Sequence, residues 1–468
     1  MLETQPITAS DIRQYLLCPC ALYLEHHGPT EERAAAHAFL EHLREVGLEH
    51  ELSVLAEHPH VTVPDGTMEE RAESTLQLLR KGVDRIYHPV LLAEDLVGIP
   101  DFLERTEVPS DLGDFSYRPV DIKISTSPKP EHAVQLGFYS LLLESVHGVM
   151  LPTADVILVD RTRATIEMAS AVESAREMIA EAREVLAGRR ETPTLSSECG
   201  MCPWNDYCLK AMSASADISL IDGLGKAKKA PLNALGYVDL EDIANAASDA
   251  LSQVKGIGQR TAERIVRQAS VLLDGRPKMI SRPRFPDAEI ELYLDMECQQ
   301  QTQVIYLIGV LESRPDGEKF RAFVAERPED EGEMWDELLA YLQGLPRDPV
   351  IYHYHSFEST HLRKLAERHG LRPDVEPKLF DNLIDLHRVL KDSVVLPIHS
   401  YGLKTVAKWL GFRWTETEAD AAMSMLWFDL WLRTGNRDYL EWSIEYNEDD
   451  CRATKVVKEW VASVARHV

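Results

Sequence analysis

Hydrophobic and polar positions change their period several times along the chain. DLVGIPDFLERTEV (95–108) and YRPVDIKISTS (117–127) carry strand-like patterns on either side of a polar stretch, PSDLGDF, and predict a β-hairpin. HAVQLGFYSLLLE (132–144) predicts a helix with Gln135 and Tyr139 one turn apart on one face. EIELYLDMECQQQTQVIYLIGVL (289–311) alternates like two antiparallel strands, and VIYHYHSFESTHLRKLAERHG (350–370) like a strand running into a helix. IEYNEDDCRATKVVKEW (444–460) predicts a helix. Residues 220–275 are helical, Ala-rich and punctuated by glycines. KAMSASADISL (210–220), small and polar, and DGRPKMISRPRFPD (274–287), with three prolines, predict linkers. The expected domains are therefore 1–213, 214–282 and 283–468.

Length agrees, since 468 residues suit two to four domains at about 150 residues each. No apolar run approaches the roughly 20 residues of a membrane helix. The N-terminal stretch lacks the basic and apolar regions of a signal peptide. The expectation is a cytoplasmic protein with no membrane partner. The net charge of −27 argues against a nucleic-acid ligand for the chain as a whole. Charge is local, however, and residues 214–282 hold ten Lys and Arg against eight Asp and Glu, a balance of +2.

Two hairpin-like segments in that stretch share one plan, an apolar residue, a Gly-x-Gly turn and an amphipathic helix: IDGLGKAKKAPLNALGYVDLEDIANA and LSQVKGIGQRTAERIVRQA. Gly256 and Gly258 permit close approach of another molecule to the backbone. Amides at the next helix N-terminus suit a phosphate. Lys255, Arg260 and Arg264 add positive charge. This section resembles the tandem helix-hairpin-helix module of DNA ligases and repair nucleases, which grips the DNA backbone without reading sequence. The bland alternative is a helical packing unit.

Seven cysteines in a cytosolic chain argue against a disulfide framework. Five cluster: Cys18 and Cys20, then Cys199, Cys202 and Cys208. Asp121 and Lys123, two apart on a strand, share a face, and Asp101 is expected on the preceding strand. Two carboxylates and a lysine at strand ends suit a magnesium or manganese site for phosphodiester cleavage. Pro100-Asp101, Asp121-Ile122-Lys123 and the helix with Gln135 and Tyr139 together resemble the RecB-like branch of the PD-(D/E)xK nucleases. That resemblance implies a restriction-endonuclease-like α/β core. It also implies a metal-binding histidine on an early helix, for which His37 is the candidate and Glu41 the alternative. A subset of the branch holds a four-iron cluster through one early cysteine and a Cys-x2-Cys-x5-Cys run. Cys199, Cys202 and Cys208 match the run, and Cys18 matches the early position, with Cys20 as fallback. Zinc at the same cysteines is the alternative, because thiolate count does not separate the two.

In the C-terminal section Asp295 and Glu297 share a strand face, Glu358 opens a helix, and Tyr446 and Asp450 are one turn apart. Carboxylates from a strand and a helix can hold two divalent cations, with a tyrosine orienting water. The order resembles the DnaQ-like exonucleases, with a ribonuclease-H-like fold. Phe357-Glu358 departs from the usual Phe-Asp. Asp449 competes with Asp450. Asp385 in FDNLIDLHRVL stays unassigned, and SYGLKTVAKWLGF (400–412) looks like the family's intermediate region.

The three resemblances in this order are similar to a family of bacterial RecB-type nucleases. They imply a metal-dependent nuclease on single-stranded DNA or duplex ends, exonuclease rather than endonuclease, with one or two live sites. A non-catalytic DNA-binding scaffold is the rival. No Gly-x4-Gly-Lys-Ser/Thr loop occurs, so a helicase partner would act in trans.

Overall fold

The structure is a computed structural model that describes residues 6–299, 302–417 and 419–464. The chain divides into two compact units, Met1–Leu209 and Lys210–Val468. Among the described residues no helix is long and apolar enough to cross a membrane.

The first unit is built on a six-stranded mixed sheet: β1 (Val61–Thr62), β2 (Arg85–Tyr87), β3 (Phe102–Thr106), β4 (Ser116–Ile122), β5 (Thr153–Ile157) and β6 (Arg163–Glu167), ordered as in the sequence. The expected hairpin forms, with β3 antiparallel to β4 and Phe102 opposite Val120. Its first arm is shorter than the pattern suggested. Leu96–Gly98 pairs in a separate small sheet with Ile7–Thr8 and Leu91–Ala93. The chain then turns through Pro100 and Asp101 before β3 begins. Proline supplies no backbone N–H to a ladder, which favours a break there. β4 runs parallel to β5, and helix Pro130–His147 makes the crossover. This helix is apolar nearly all round because it is sandwiched. Leu136, Phe138, Leu142 and Leu143 are buried in the main core with Ala171, Ala175 and Ile179 of helix Met168–Leu186.

In the second unit the sheet is β7 (Glu291–Gln299), β8 (Val304–Arg314), β9 (Gly317–Val324), β10 (Val350–His353) and β11 (Leu383–Asp385), in the order β9-β8-β7-β10-β11. The predicted strand pair is β7 with β8, antiparallel, with a register shift between Glu297 and Cys298. β10 and β11 join on the other side, both parallel to β7 or to each other. β7 is therefore central and covered on both faces, as a strand with parallel neighbours usually is. Leu292, Leu294 and Met296 enter a core with Met334, Trp335 and Leu338. Tyr293 enters the opposite core with Val457 and Val461 of the long helix Arg437–Val464. Asp295 and Glu297 alternate onto this second face.

The first predicted linker is helical, whereas the second pairs at Lys278–Met279 and runs without helix or strand over 281–287. Residues 210–220 continue helix Asn205–Ala214 and a 3-10 turn at Ile218–Leu220, because Met212 and Ile218 are buried. Lys278–Met279 pairs antiparallel with Val394–Val395, and Ile280 donates its N–H to the Ser393 carbonyl over 2.7 Å. The glycine-punctuated segment forms short helices, of which Lys226–Ala234 and Gln259–Asp274 follow the two Gly-x-Gly turns. Gly223 and Gly256 have φ of +80° and +84°. Gly225 and Gly258 N-cap the helices.

Candidate functional site

Two groups of carboxylates converge, one in each unit. In the first, ligand-type atoms of Glu51, His88 and Asp101 all lie within 4.8 Å of one another. Asp101 sits one residue before β3, not on it, and its Oδ2 accepts from the Ile122 N–H over 2.6 Å. Glu51 comes from helix Ala38–Glu57; Tyr87 donates its hydroxyl to Glu51 Oε1 over 2.6 Å, and His88 Nε2 stands 2.8 Å from the same atom. Asp121 is the last residue but one of β4 and fully buried, and Lys123 follows the strand with its Nζ 2.7 Å from Asp121 Oδ2. Apart from that ion pair, among the described residues neither Asp121 oxygen receives a directed hydrogen bond. Gln135 Nε2 donates to the Tyr139 hydroxyl over 2.9 Å, and that hydroxyl donates to the Ile99 carbonyl over 3.2 Å. The predicted helix pair therefore forms, anchored beside the Pro100-Asp101 turn.

Burial, then the neighbouring Asp121, push the Asp101 carboxyl well above its ordinary range. Burial pulls the Lys123 ammonium down, but Asp121 and Asp101 outweigh it and hold it above its usual value. Burial would raise Glu51, yet the hydrogen bonds from His88 and Tyr87 bring it below the usual range. A buried carboxylate without donors is costly, and this donor set of hard oxygens and one imidazole is the chemistry of a divalent-cation site. The site fits magnesium or manganese.

His37 is not in this group. It N-caps helix Ala38–Glu57, its Nδ1 accepting from the Phe39 N–H over 3.2 Å. Glu51 is fourteen residues further along the same helix, about 20 Å at the helical rise, so His37 is out of reach. Glu41, one turn from the N-terminus of the same helix, is exposed. The early helix does contribute to the site, through Glu51.

The cysteine loop is held against the first helices. Trp204 Nε1 donates to Glu25 over 2.9 Å, and the Ala34 N–H to the Pro203 carbonyl over 3.0 Å. Cys18 N-caps helix Pro19–His27, and its electrostatic neighbours include Cys199 and Cys208. Cys20 and Cys208 are close enough that each shifts the other's thiol. Burial raises Cys18 and takes Cys202 up to about 11, whereas the neighbouring Cys20 lowers Cys208. Both early cysteines thus stand beside the later run.

In the second unit Asp295, Glu297 and Asp450 offer oxygens within 4.8 Å of one another. Trp414 Nε1 donates to Asp450 Oδ1 over 2.7 Å, and Tyr446, one turn away on the same helix, also favours the charged form of Asp450. Asp449 is turned elsewhere, accepting from the Thr415 N–H over 2.6 Å. Asn447 Nδ2 donates to Asp295 Oδ2 over 2.7 Å. Glu358, in the first turn of helix Ser356–His369, lies outside the three-residue group. His353 Nδ1 stands 3.3 Å from its Oε2, although its charge still acts on Asp295 and Glu297. His355, just before that helix, has a left-handed φ of 80°. Asp385 Oδ1 pins it, accepting from the His355 N–H over 3.0 Å and the Arg388 N–H over 3.3 Å. Asp385 therefore supports the helix start that carries Glu358.

Desolvation raises all four carboxyls. For Asp295 and Glu297 the charge of Asp450 adds next, and Asp450 itself is pushed up to about 6. So many buried acids in one place require protons or cations. Lys404, from helix Leu403–Trp409, supplies one positive charge; burial lowers it, and Asp450, Asp420 and Glu297 act against that. This donor set also fits hard divalent cations.

Sequence reasoning missed Glu51, His88, Trp414, Asn447 and Lys404. Asn447 lies within the quoted Tyr446–Asp450 helix, three residues before Asp450 and on the same side of it, a spacing that could have marked it. Lys404 lies in the quoted SYGLKTVAKWLGF, while Glu51, His88 and Trp414 sit in segments without a local signature.

Three family models match successive stretches of the chain. The PD-(D/E)XK nuclease superfamily matches residues 6–209, the SAM-like helix-hairpin-helix tandem 216–270, and the RNase_H superfamily 292–462. A search among curated proteins finds no match. The chain is a mixed α/β multidomain protein with PD-(D/E)XK, all-α helix-hairpin-helix and RNase H-like domains, two of them of nuclease superfamilies.

Proposed function

We propose that the chain is a metal-dependent nuclease that hydrolyses phosphodiester bonds of DNA, as an exonuclease, with a site in each nuclease domain. The observation that carries this is the pair of convergent ligand groups, Glu51, His88 and Asp101 in one and Asp295, Glu297 and Asp450 in the other, each inside a nuclease-superfamily match. The domains are 1–213, 214–282 and 283–468. Glu51, Asp101 and Asp121, with His88 beside them, hold a cation in the first; Asp295, Glu297, Glu358 and Asp450 hold the pair in the second. The bound ions supply an activated water and charge stabilisation for the leaving oxygen. Lys123 neutralises the attacked phosphate or positions the water, with Gln135 and Tyr139 near the substrate. Tyr446 orients water at the second site. The hairpin turns at Gly223 and Gly256, with Lys255 and Arg260, hold the DNA backbone through amides and charge. Single-stranded DNA or duplex ends are the substrate, in repair, recombination or defence, with a helicase acting in trans.

Cys18, Cys199, Cys202 and Cys208 bind a four-iron cluster that clamps the two ends of the first domain, with Cys20 as substitute ligand and zinc as the alternative occupant. The proximity of these thiols supports a metal site.

A second reading keeps one site live and makes the other domain a DNA guide. It draws on Glu358, which pairs with His353 and stands outside the three-carboxylate group. The test is cleavage of end-labelled single- and double-stranded DNA by anaerobically purified protein with magnesium or manganese, comparing wild type, Lys123→Ala and Asp295→Ala. Loss in one variant alone assigns the chemistry to that domain. DNA binding with no metal-dependent cleavage by the wild type would establish the scaffold instead.

A further inference from the structure

Lys404 belongs to SYGLKTVAKWLGF, a stretch for which the carboxylate motifs leave no role. Its ammonium lies 5.0 Å from the Tyr446 ring centroid and 5.6 Å from that of Trp414. Both side chains also bear on Asp450, Trp414 by a hydrogen bond from Nε1 over 2.7 Å and Tyr446 from one turn away on the same helix. Trp414 thus turns an edge to the carboxylate and a face to the cation. Asp450 and Glu297 are among the charges that act on Lys404. Among the described residues no acceptor is hydrogen-bonded to its Nζ, so three N–H donors are held beside the acids by aromatic faces and left unspent. An ion pair made for stability alone would place the ammonium on a carboxylate, as Lys123 does on Asp121. Lys404 stands off instead. The divalent cations fitted to this site would repel it unless an anion came between them.

We propose that Lys404 is a phosphate-binding residue of the second site, donating to a non-bridging oxygen of the nucleotide phosphate held against Asp295, Glu297 and Asp450. This rests on the reading of that carboxylate group as a nuclease site. The aromatic pair keeps the ammonium off the carboxylates in the free enzyme and ready for the phosphate. One fixed cation in an acidic site selects for a phosphate-bearing ligand over a neutral nucleoside.

The test uses the full chain carrying Glu51→Gln and Lys123→Ala, so that the first site neither binds manganese nor cuts, with Lys404→Met, Lys404→Arg or Asp295→Asn added. Calorimetry measures manganese binding and then the binding of thymidine 5′-monophosphate and thymidine to the manganese-loaded protein; cleavage gives kcat and KM. Lys404→Met is expected to keep manganese binding and melting temperature. It should weaken the monophosphate by about 10- to 100-fold, the worth of a charged hydrogen bond, and leave thymidine unchanged. Lys404→Arg should restore most of the loss. In the protein with native Lys404, bound monophosphate should also shield that lysine from acetic anhydride, read by mass spectrometry, which needs no variant at position 404. Unaltered monophosphate binding in Lys404→Met overturns the proposal. So does loss of manganese together with the nucleotide, or a protein with native Lys404 that takes no monophosphate. Full cleavage by Glu51→Gln/Lys123→Ala/Asp295→Asn would instead sink the nuclease reading of the second site, a result separate from the binding measurements.

Discussion

Asn447 on the long C-terminal helix donates to Asp295 on the central strand over 2.7 Å, joining positions 152 residues apart. The same amide packs over β8: a Cβ on Gly309 would meet Asn447 Oδ1 at 1.7 Å. Asn447 is fully buried, and so is its unpartnered Oδ1. The glycine thus leaves room for the residue that aims a carboxylate.

Asn447→Leu and Gly309→Ala should therefore impair the same site by different routes. Each is expected to weaken manganese binding at the second site by about 10- to 100-fold, the usual cost of losing a partner that orients a ligand. Gly309→Ala should also lose about 1–3 kcal/mol of stability through overpacking. Denaturant melts and manganese titrations of the two variants check this. Intact metal binding in both would remove the orienting role from Asn447.

At the first site Glu51→Gln should abolish one manganese-binding event and the cleavage that depends on Lys123. His37→Ala should leave both within about twofold, because an N-cap loss of about 1 kcal/mol falls on the far end of the helix. Manganese calorimetry on both variants is the measurement, and a larger effect from His37→Ala would reverse the assignment.

Asp450, raised to about 6, makes stability depend on pH. The folded state binds this proton more tightly than the unfolded state, whose carboxyl titrates near 3.9. Its contribution to stability is therefore present below about 4 and lost as pH rises through about 6. The metal-free protein should lose stability over that window. Metal binding must displace the proton, so manganese should raise the melting temperature more at pH 7.5 than at pH 5 (calorimetric scans with and without manganese). Asp450→Asn should flatten the difference.

The hairpin glycines separate fold from binding. Gly258 has φ −81°, and a Cβ there would meet nothing within 4 Å. Gly258→Ala should change stability by less than about 1 kcal/mol, the poorer N-cap offset by a stiffer unfolded chain. It should weaken DNA binding by about tenfold, since the methyl occupies the space a phosphate needs. Gly256, at φ +84°, should cost about 1–2 kcal/mol as Ala. Fluorescence anisotropy with a labelled oligonucleotide checks both, and unweakened binding by Gly258→Ala would mean the turn faces no phosphate.

Much of this architecture is written in local pattern. The β3–β4 and β7–β8 pairs follow from alternation and polar turns, the hairpin turns from their glycines. Asp295 with Glu297, Asp121 with Lys123 and Tyr446 with Asp450 follow from the periods of strand and helix. All of these relate residues a few positions apart, where backbone geometry alone sets the spacing. KAMSASADISL misled because small polar residues read as linker, while Met212 and Ile218 in that neighbourhood found burial and kept the chain helical.

Other features belong to no local pattern. Glu51 rather than His37 reaches Asp101 because of how far along one helix the site falls, a length the sequence carries but the meeting point of helix and sheet decides. Trp414 meets Asp450 and Lys404 acts on its charge from a different segment, Asn447 meets Asp295, and Asp385 pins His355, each across tens of residues or more. The chain by itself determined the elements, the order of the three domains and the carboxylates on each strand and helix. Packing of those elements decided which carboxylates share a site, which cation faces them and which neutral side chains aim them, because such contacts depend on distances between elements that no period encodes.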